Sequence, residues 1–248
     1  MMHLNRFGRR LVLGAALGAM AAGGSIAQSS LSGAYLAGLQ AAKRGDMEMA
    51  AEYFSRALDR DPGDLALMEQ TLVYLAASGR IETAIELAER LSVFDAKHRM
   101  ANLLLVAADM KRGDNAAARA RIAAAPEAFH PLVGALLDGW SAEGEGDEDA
   151  AAAAFAALDG RAIFRVFTAY HTGLMRHAAG DPAGAVEAFA KLAEELTAPS
   201  GRMARAYAAA LIDVGKLDEA REVLEGAAAL AVGDPTPDAD IEAIEAGG

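Results

Sequence analysis

No cysteine occurs among the 248 residues. That excludes disulfides, thiolate metal sites, cysteine nucleophiles and a lipid-modified cysteine of the bacterial lipoprotein type. Aromatic residues make up only 6% of a chain that is 53% apolar, and there is a single Trp. With so few large side chains, the core must be packed largely by small ones. Alanine, the commonest small residue here, is also the best helix former. Positive charge is short too: 23 Lys and Arg stand against 35 Asp and Glu, a net −12, and the basic residues form no stripe. Phosphate backbones need clustered Lys and Arg, so this composition argues against a nucleic-acid partner. No strand-like alternation of any length is present, nor HExxH, GxSxG or P-loop spacing. The histidines are His3, His98, His130, His171 and His177. Six residues separate the last two, which points them in different directions on one helix. We expect no enzyme activity, no catalytic residue, no metal site and no cofactor.

What the chain does have is a glycine followed five residues later by an alanine, six times over. The pairs are Gly45/Ala50, Gly79/Ala84, Gly113/Ala118, Gly146/Ala151, Gly180/Ala185 and Gly215/Ala220. The steps between glycines are 34, 34, 33, 34 and 35 residues. A period of that length over most of a chain signifies stacked helical hairpins. Glycine can end a helix in the left-handed conformation. In four of the six repeats Asp follows (Asp46, Asp114, Asp147, Asp181) and can cap the next helix. Arg80 and Lys216 take that place in the other two and should cap less well.

The spacing predicts repeats near 31–64, 65–98, 99–131, 132–165, 166–200 and 201–231. The first shows Ala34, Gly38, Ala41, Ala50, Phe54, Ala57 and Pro62. The fourth shows Gly139, Ala151 and Phe155; the fifth Gly173, Ala185 and Phe189; the sixth Ala208, Ala220 and Leu224. These positions and this period resemble the tetratricopeptide repeat (TPR) family over about residues 31–231. Repeats two and three depart from it, with Ala88 and Ile122 where the family has Phe. The resemblance implies an all-α fold, a right-handed superhelical solenoid of about six helix-turn-helix hairpins. It also implies close crossings of paired helices at the small residues.

The family lines its concave face with particular helix A positions. Carried onto this chain, the candidate partner-binding residues are Tyr35, Met100, Leu103, Trp140, Phe167, Tyr170, Leu174, His177, Arg202 and Arg205. They would form an apolar, aromatic wall turning basic at its far end, and such residue types anchor interfaces. The competing reading is that several of them simply pack between adjacent helices. The family's carboxylate clamp for chaperone tails is not carried over, because its Lys, Asn and Arg set is missing here.

The first 27 residues read as a signal peptide. Arg6, Arg9 and Arg10 precede an apolar run from Leu11 to Ala22, and Ser25-Ile26-Ala27 offers a cleavage site after Ala27. Removing them takes away three Arg and no acid, which moves the net charge from −12 to −15. The mature chain would have no integral membrane span. Residues 232–248 form an acidic tail. Its 236–246 stretch reads either as a short capping helix or as helix A of a further repeat in a chain that stops early. The acid run Glu143, Glu145, Asp147, Glu148 and Asp149 reads as a solvated helix corner rather than a Ca²⁺ loop, since it lacks the EF-hand order. The expected function is an exported, periplasmic scaffold that binds a peptide or protein segment in envelope assembly or secretion. Two alternatives stand beside it: a permanently packed subunit of a membrane or export complex, and a small-ligand binder or enzyme in the fifth hairpin around Tyr170 and His177.

Overall fold

The computed structural model describes residues 30–158, 160, 162–196, 200–230 and 241. The expected signal peptide and nearly all of the tail lie outside them. The described residues form helices joined by short turns, with one 3₁₀ turn and no strand. The helices are α1 (Leu31–Lys43), α2 (Met47–Leu58), α3 (Leu65–Ala77), α4 (Ile81–Phe94), α5 (Arg99–Lys111) and α6 (Asn115–Ala124), followed by α7 (Pro131–Gly144), α8 (Glu148–Ala156), α9 (Ala162–Ala178), α10 (Pro182–Glu195), α11 (Gly201–Asp213) and α12 (Leu217–Leu230). The chain divides into two compact units, Met1–Ala108 and Asp109–Gly248, with the boundary inside α5.

Every predicted turn glycine has positive φ, from 75° at Gly45 to 80° at Gly180. At each, the residue after the glycine donates its amide back five residues and the glycine donates within that loop. Asp46 N reaches Ala41 O and Gly45 N reaches Ala42 O, both at 3.0 Å. This pair of bonds satisfies carbonyls that the ending helix would leave open. The aspartates then cap as expected: Asp46, Asp114, Asp147 and Asp181 accept from Met49, Ala117, Ala150 and Gly184 amides at 2.8–3.1 Å. Arg80 makes no side-chain cap bond. One residue therefore stops a helix and the next restarts the chain in the reverse direction.

The connections between hairpins vary more. Ser30, Asp64 and Ser200 cap α1, α3 and α11. Two histidines do the same work: His98 Nδ1 accepts from Ala101 N at 3.2 Å, and His130 Nδ1 from Leu132 N at 3.3 Å. Between Pro126 and Pro131 the chain makes the 3₁₀ turn Pro126–Ala128. In the third hairpin the carboxylate of Asp109, only 4% exposed, accepts from Arg121 Nε at 3.1 Å and pairs with Arg112. Arg119 reaches from α6 to Asp138 at 3.1 Å on α7 and to Glu145 at 2.9 Å beyond its end. Those bonds, Glu145 foremost, raise the Arg119 pKa above its ordinary value. The acid run thus turns Glu145 toward an arginine, and Asp147 lies 3.9 Å from the same guanidinium.

The predicted alanines sit at the helix crossings. Ala50, Ala84, Ala118, Ala151, Ala185 and Ala220 are each fully buried. Seven residues before each turn glycine lies Gly38, Leu72, Val106, Gly139, Gly173 or Ala208; sixteen residues after that lies Phe54, Ala88, Ile122, Phe155, Phe189 or Leu224. All three phenylalanines stand opposite glycine. A Cβ on Gly38 would meet the Phe54 ring at 3.0 Å, and one on Gly173 would meet the Phe189 ring at 2.6 Å. On Gly139 it would overlap Phe155. In repeat two the first position is the large Leu72 and the second the small Ala88, both fully buried, whereas in repeat three Val106 and Ile122 are both bulky. The departures of repeat two from the family pattern are thus an exchange of volume between two helices.

Ala151→Leu and Ala185→Leu are expected to lower stability by about 1–3 kcal/mol each through overpacking. The exposed neighbour Ala152→Leu should stay within about 0.5 kcal/mol of wild type. Chemical denaturation of the three variants checks this, and equal stability of all three would remove alanine from the crossing.

Candidate functional site

In the second unit the odd-numbered helices α7, α9 and α11 are the first helices of three successive hairpins, and α9 contacts both α7 and α11. Aromatic rings run across them without a break. Trp140 on α7 meets His171 on α9 with centroids 6.0 Å apart, and the indole Nε1–H donates to His171 Nδ1 at 2.9 Å. His171 meets Tyr170 at 5.3 Å, Tyr170 meets Phe189 at 6.2 Å, and Phe189 meets Tyr207 on α11 at 5.9 Å. Phe155 lies 6.1 Å from Trp140 and 6.0 Å from His171. The geometries are edge-on or tilted, as the ring quadrupoles favour. One turn further along, His177 Nε2 lies 2.7 Å from Asp213 Oδ2, which ties α9 to α11 again.

The predicted residues fall in two groups because the chain has two units. In the first, Tyr35 is half-exposed and meets the Phe54 ring edge-on at 5.6 Å. Phe54 in turn stacks on Tyr74 at 5.0 Å. Met100 is partly buried against that unit's core, and Leu103 is exposed. In the second unit Trp140, Tyr170 and Leu174 are half-buried among core residues, so their outer parts alone can meet a partner. Phe167, Arg202 and Arg205 are exposed, and His177 is partly so. Arg205 interacts with other residues of the protein. In the second unit, then, Phe167, Arg202 and Arg205 are the exposed candidates and Trp140, Tyr170 and Leu174 the half-buried ones.

Sequence reading missed His171 and Tyr207 as parts of that row. Neither matches a family position, and their partners Trp140 and Phe189 are 31 and 18 residues away. Only the period, applied to aromatics of every repeat together, could have suggested them. Among the described residues no group of three or more His, Asp or Glu is placed to hold a metal ion. Nor is any helix there long and apolar enough to cross a membrane.

These paired helices, left-handed glycine turns and small-residue crossings define a tetratricopeptide-like all-α fold, and solved structures share it. The crystal structure of PilW, a widely conserved type IV pilus biogenesis factor, superposes with a TM-score of 0.61 at 15% identity, over 77% of this chain and 89% of PilW. MamA gives 0.55 at 20% identity over 64% of this chain and 93% of its own. PilF of Pseudomonas aeruginosa gives 0.56 at 14% identity over 91% and 100%. No family model matches the chain. No curated protein matches it either.

Burial holds the His171 pKa below the ordinary imidazole value. The Trp140 bond uses the Nδ1 lone pair, so protonation there must break it. In the window between the two values the unfolded chain binds the extra proton, so this contribution is present above the ordinary value and is lost as pH falls through the folded one. Trp140 is the only tryptophan. Its fluorescence is expected to change on acidification from about pH 7 to about pH 5, and His171→Gln should abolish the change. A response unaltered in that variant would contradict the contact.

Proposed function

We propose that the protein is a non-enzymatic scaffold whose second unit presents its α7–α9–α11 face to a peptide or protein segment. One observation supports the reading: α9 joins α7 and α11 through half-buried aromatics that include Trp140 and Tyr170, and Phe167, Arg202 and Arg205 on α9 and α11 are exposed. Fixed aromatics present apolar area at little entropic cost, and arginine adds directional binding of an acidic group. Tyr35, Met100 and Leu103 would serve the same purpose on the first unit. Function in this fold resides in such surfaces, not in the fold itself.

The setting we propose is the bacterial envelope, with export directed by residues 1–27 and cleavage after Ala27. The support is the basic, apolar and small-residue order of that leader. The repeats would then occupy about residues 28–231. The tail would cap the last hairpin, since Ile241 packs against the cluster of Ala208, Leu211, Ala220 and Leu224.

Crosslinking pull-down from the envelope fraction with the full chain tests the proposal. Phe167→Ser and Arg202→Glu alter exposed side chains and should leave folding intact. Each is expected to weaken capture of the partner by about tenfold or more, the loss of one interface anchor. Undiminished capture by both variants would exclude this face. Co-purification that never exchanges with added partner would favour the permanently packed subunit instead.

A further inference from the structure

The fifth hairpin holds a cavity of about 430 Å³ in the seam between α9 and α10. That volume lies within the range of sites for small ligands. Its lining is not the one expected of a fifth-hairpin site, for Tyr170 and His177 take no part in it. On α9 it uses Arg165, Thr168, Thr172 and Arg176, a helical stripe on the side opposite Phe167, Tyr170 and Leu174. On α10 it uses Glu187 and Lys191. The floor is apolar, formed by Val166 and Leu192 with the small Ala169 and Ala188, which leave the seam open.

Charge is what distinguishes this cavity. Three cations and one carboxylate surround it, in a chain whose formal charge is −12. Arg176 has only a distant partner, Asp181 at 3.9 Å, and that aspartate is already occupied in capping α10. Neither the Lys191 ammonium nor the Thr172 hydroxyl is engaged by another described residue. Arg165 is engaged with another part of the protein and adds to the field, while Arg176, Lys191 and Thr172 over an apolar floor leave donors complementary to an oxyanion carried on a short apolar body.

We propose that this cavity binds a small dianion, a dicarboxylate or a phosphate monoester, with Arg176 and Lys191 holding the charge. The site is independent of the protein-binding face on the other side of α9.

Calorimetric titration of the full chain with succinate and, separately, with inorganic phosphate tests the assignment, against sodium chloride at matched ionic strength. Saturable binding of either probe above the chloride control is expected, and the stronger one identifies which oxyanion the site prefers. Lys191→Gln and Arg176→Gln should each weaken that binding about tenfold or more, as loss of a charge-assisted hydrogen bond predicts. Glu187→Gln should tighten it severalfold, a gain that damaged folding cannot mimic. The proposal is overturned if neither probe binds above chloride, or if the lysine and arginine variants bind as wild type does.

Discussion

Each hairpin depends on how closely its two helices can cross, and one pair of facing positions sets that distance. In five of the six hairpins one member of the pair is Gly or Ala and the other is large; only Val106 and Ile122 are both bulky. Gly38, Gly139 and Gly173 yield their space to phenylalanine rings, whereas Leu72 takes space that Ala88 gives up. Interiors pack at crystal-like density, so neither a void nor an overlap at the crossing is cheap. Glycine inside a helix costs roughly 1 kcal/mol relative to alanine. Retaining it at three crossings is intelligible because the buried ring requires it.

The outer surface follows from that crossing. Phe155 and Phe189 do not end at their glycines. Their rings continue to His171, Tyr170 and Tyr207 on the first helices of their own and the next hairpin. A core side chain thereby positions the half-buried aromatics of the first helices. The opposite side of the same α9–α10 hairpin is lined by alanines and cations and stays open. A single hairpin thus carries two chemically unlike surfaces, one aromatic and one cationic.

Much of the fold was legible in the sequence because its signals are local. A glycine five residues before an alanine fixes turn, cap and crossing within one stretch, and all six glycines have the left-handed conformation. The Asp caps were equally readable. What escaped reading depends on pairs far apart in the chain. Ala88 departs from the family pattern, while Leu72, sixteen residues before it, carries the bulk that repeats one, four and five place in Phe. His98 and His130 looked like isolated imidazoles, and they cap helices because their local turns bring Nδ1 to free amides. The Trp140–His171 bond joins residues 31 positions apart on different hairpins, and no local pattern announces it. Of the candidate surface, residue types and helix faces were legible, whereas the division between exposed Phe167 and half-buried Trp140 was set by packing.

A double-mutant cycle at the fourth crossing tests the exchange of volume most directly. Gly139→Leu places bulk against Phe155, and Phe155→Ala alone leaves a cavity that should cost about 3–5 kcal/mol. Together the two substitutions recreate the Leu72/Ala88 arrangement. Denaturant unfolding should find the double variant at least about 2 kcal/mol more stable than the sum of the single losses predicts, a coupling typical of residues that share one space. Strictly additive losses would contradict the account.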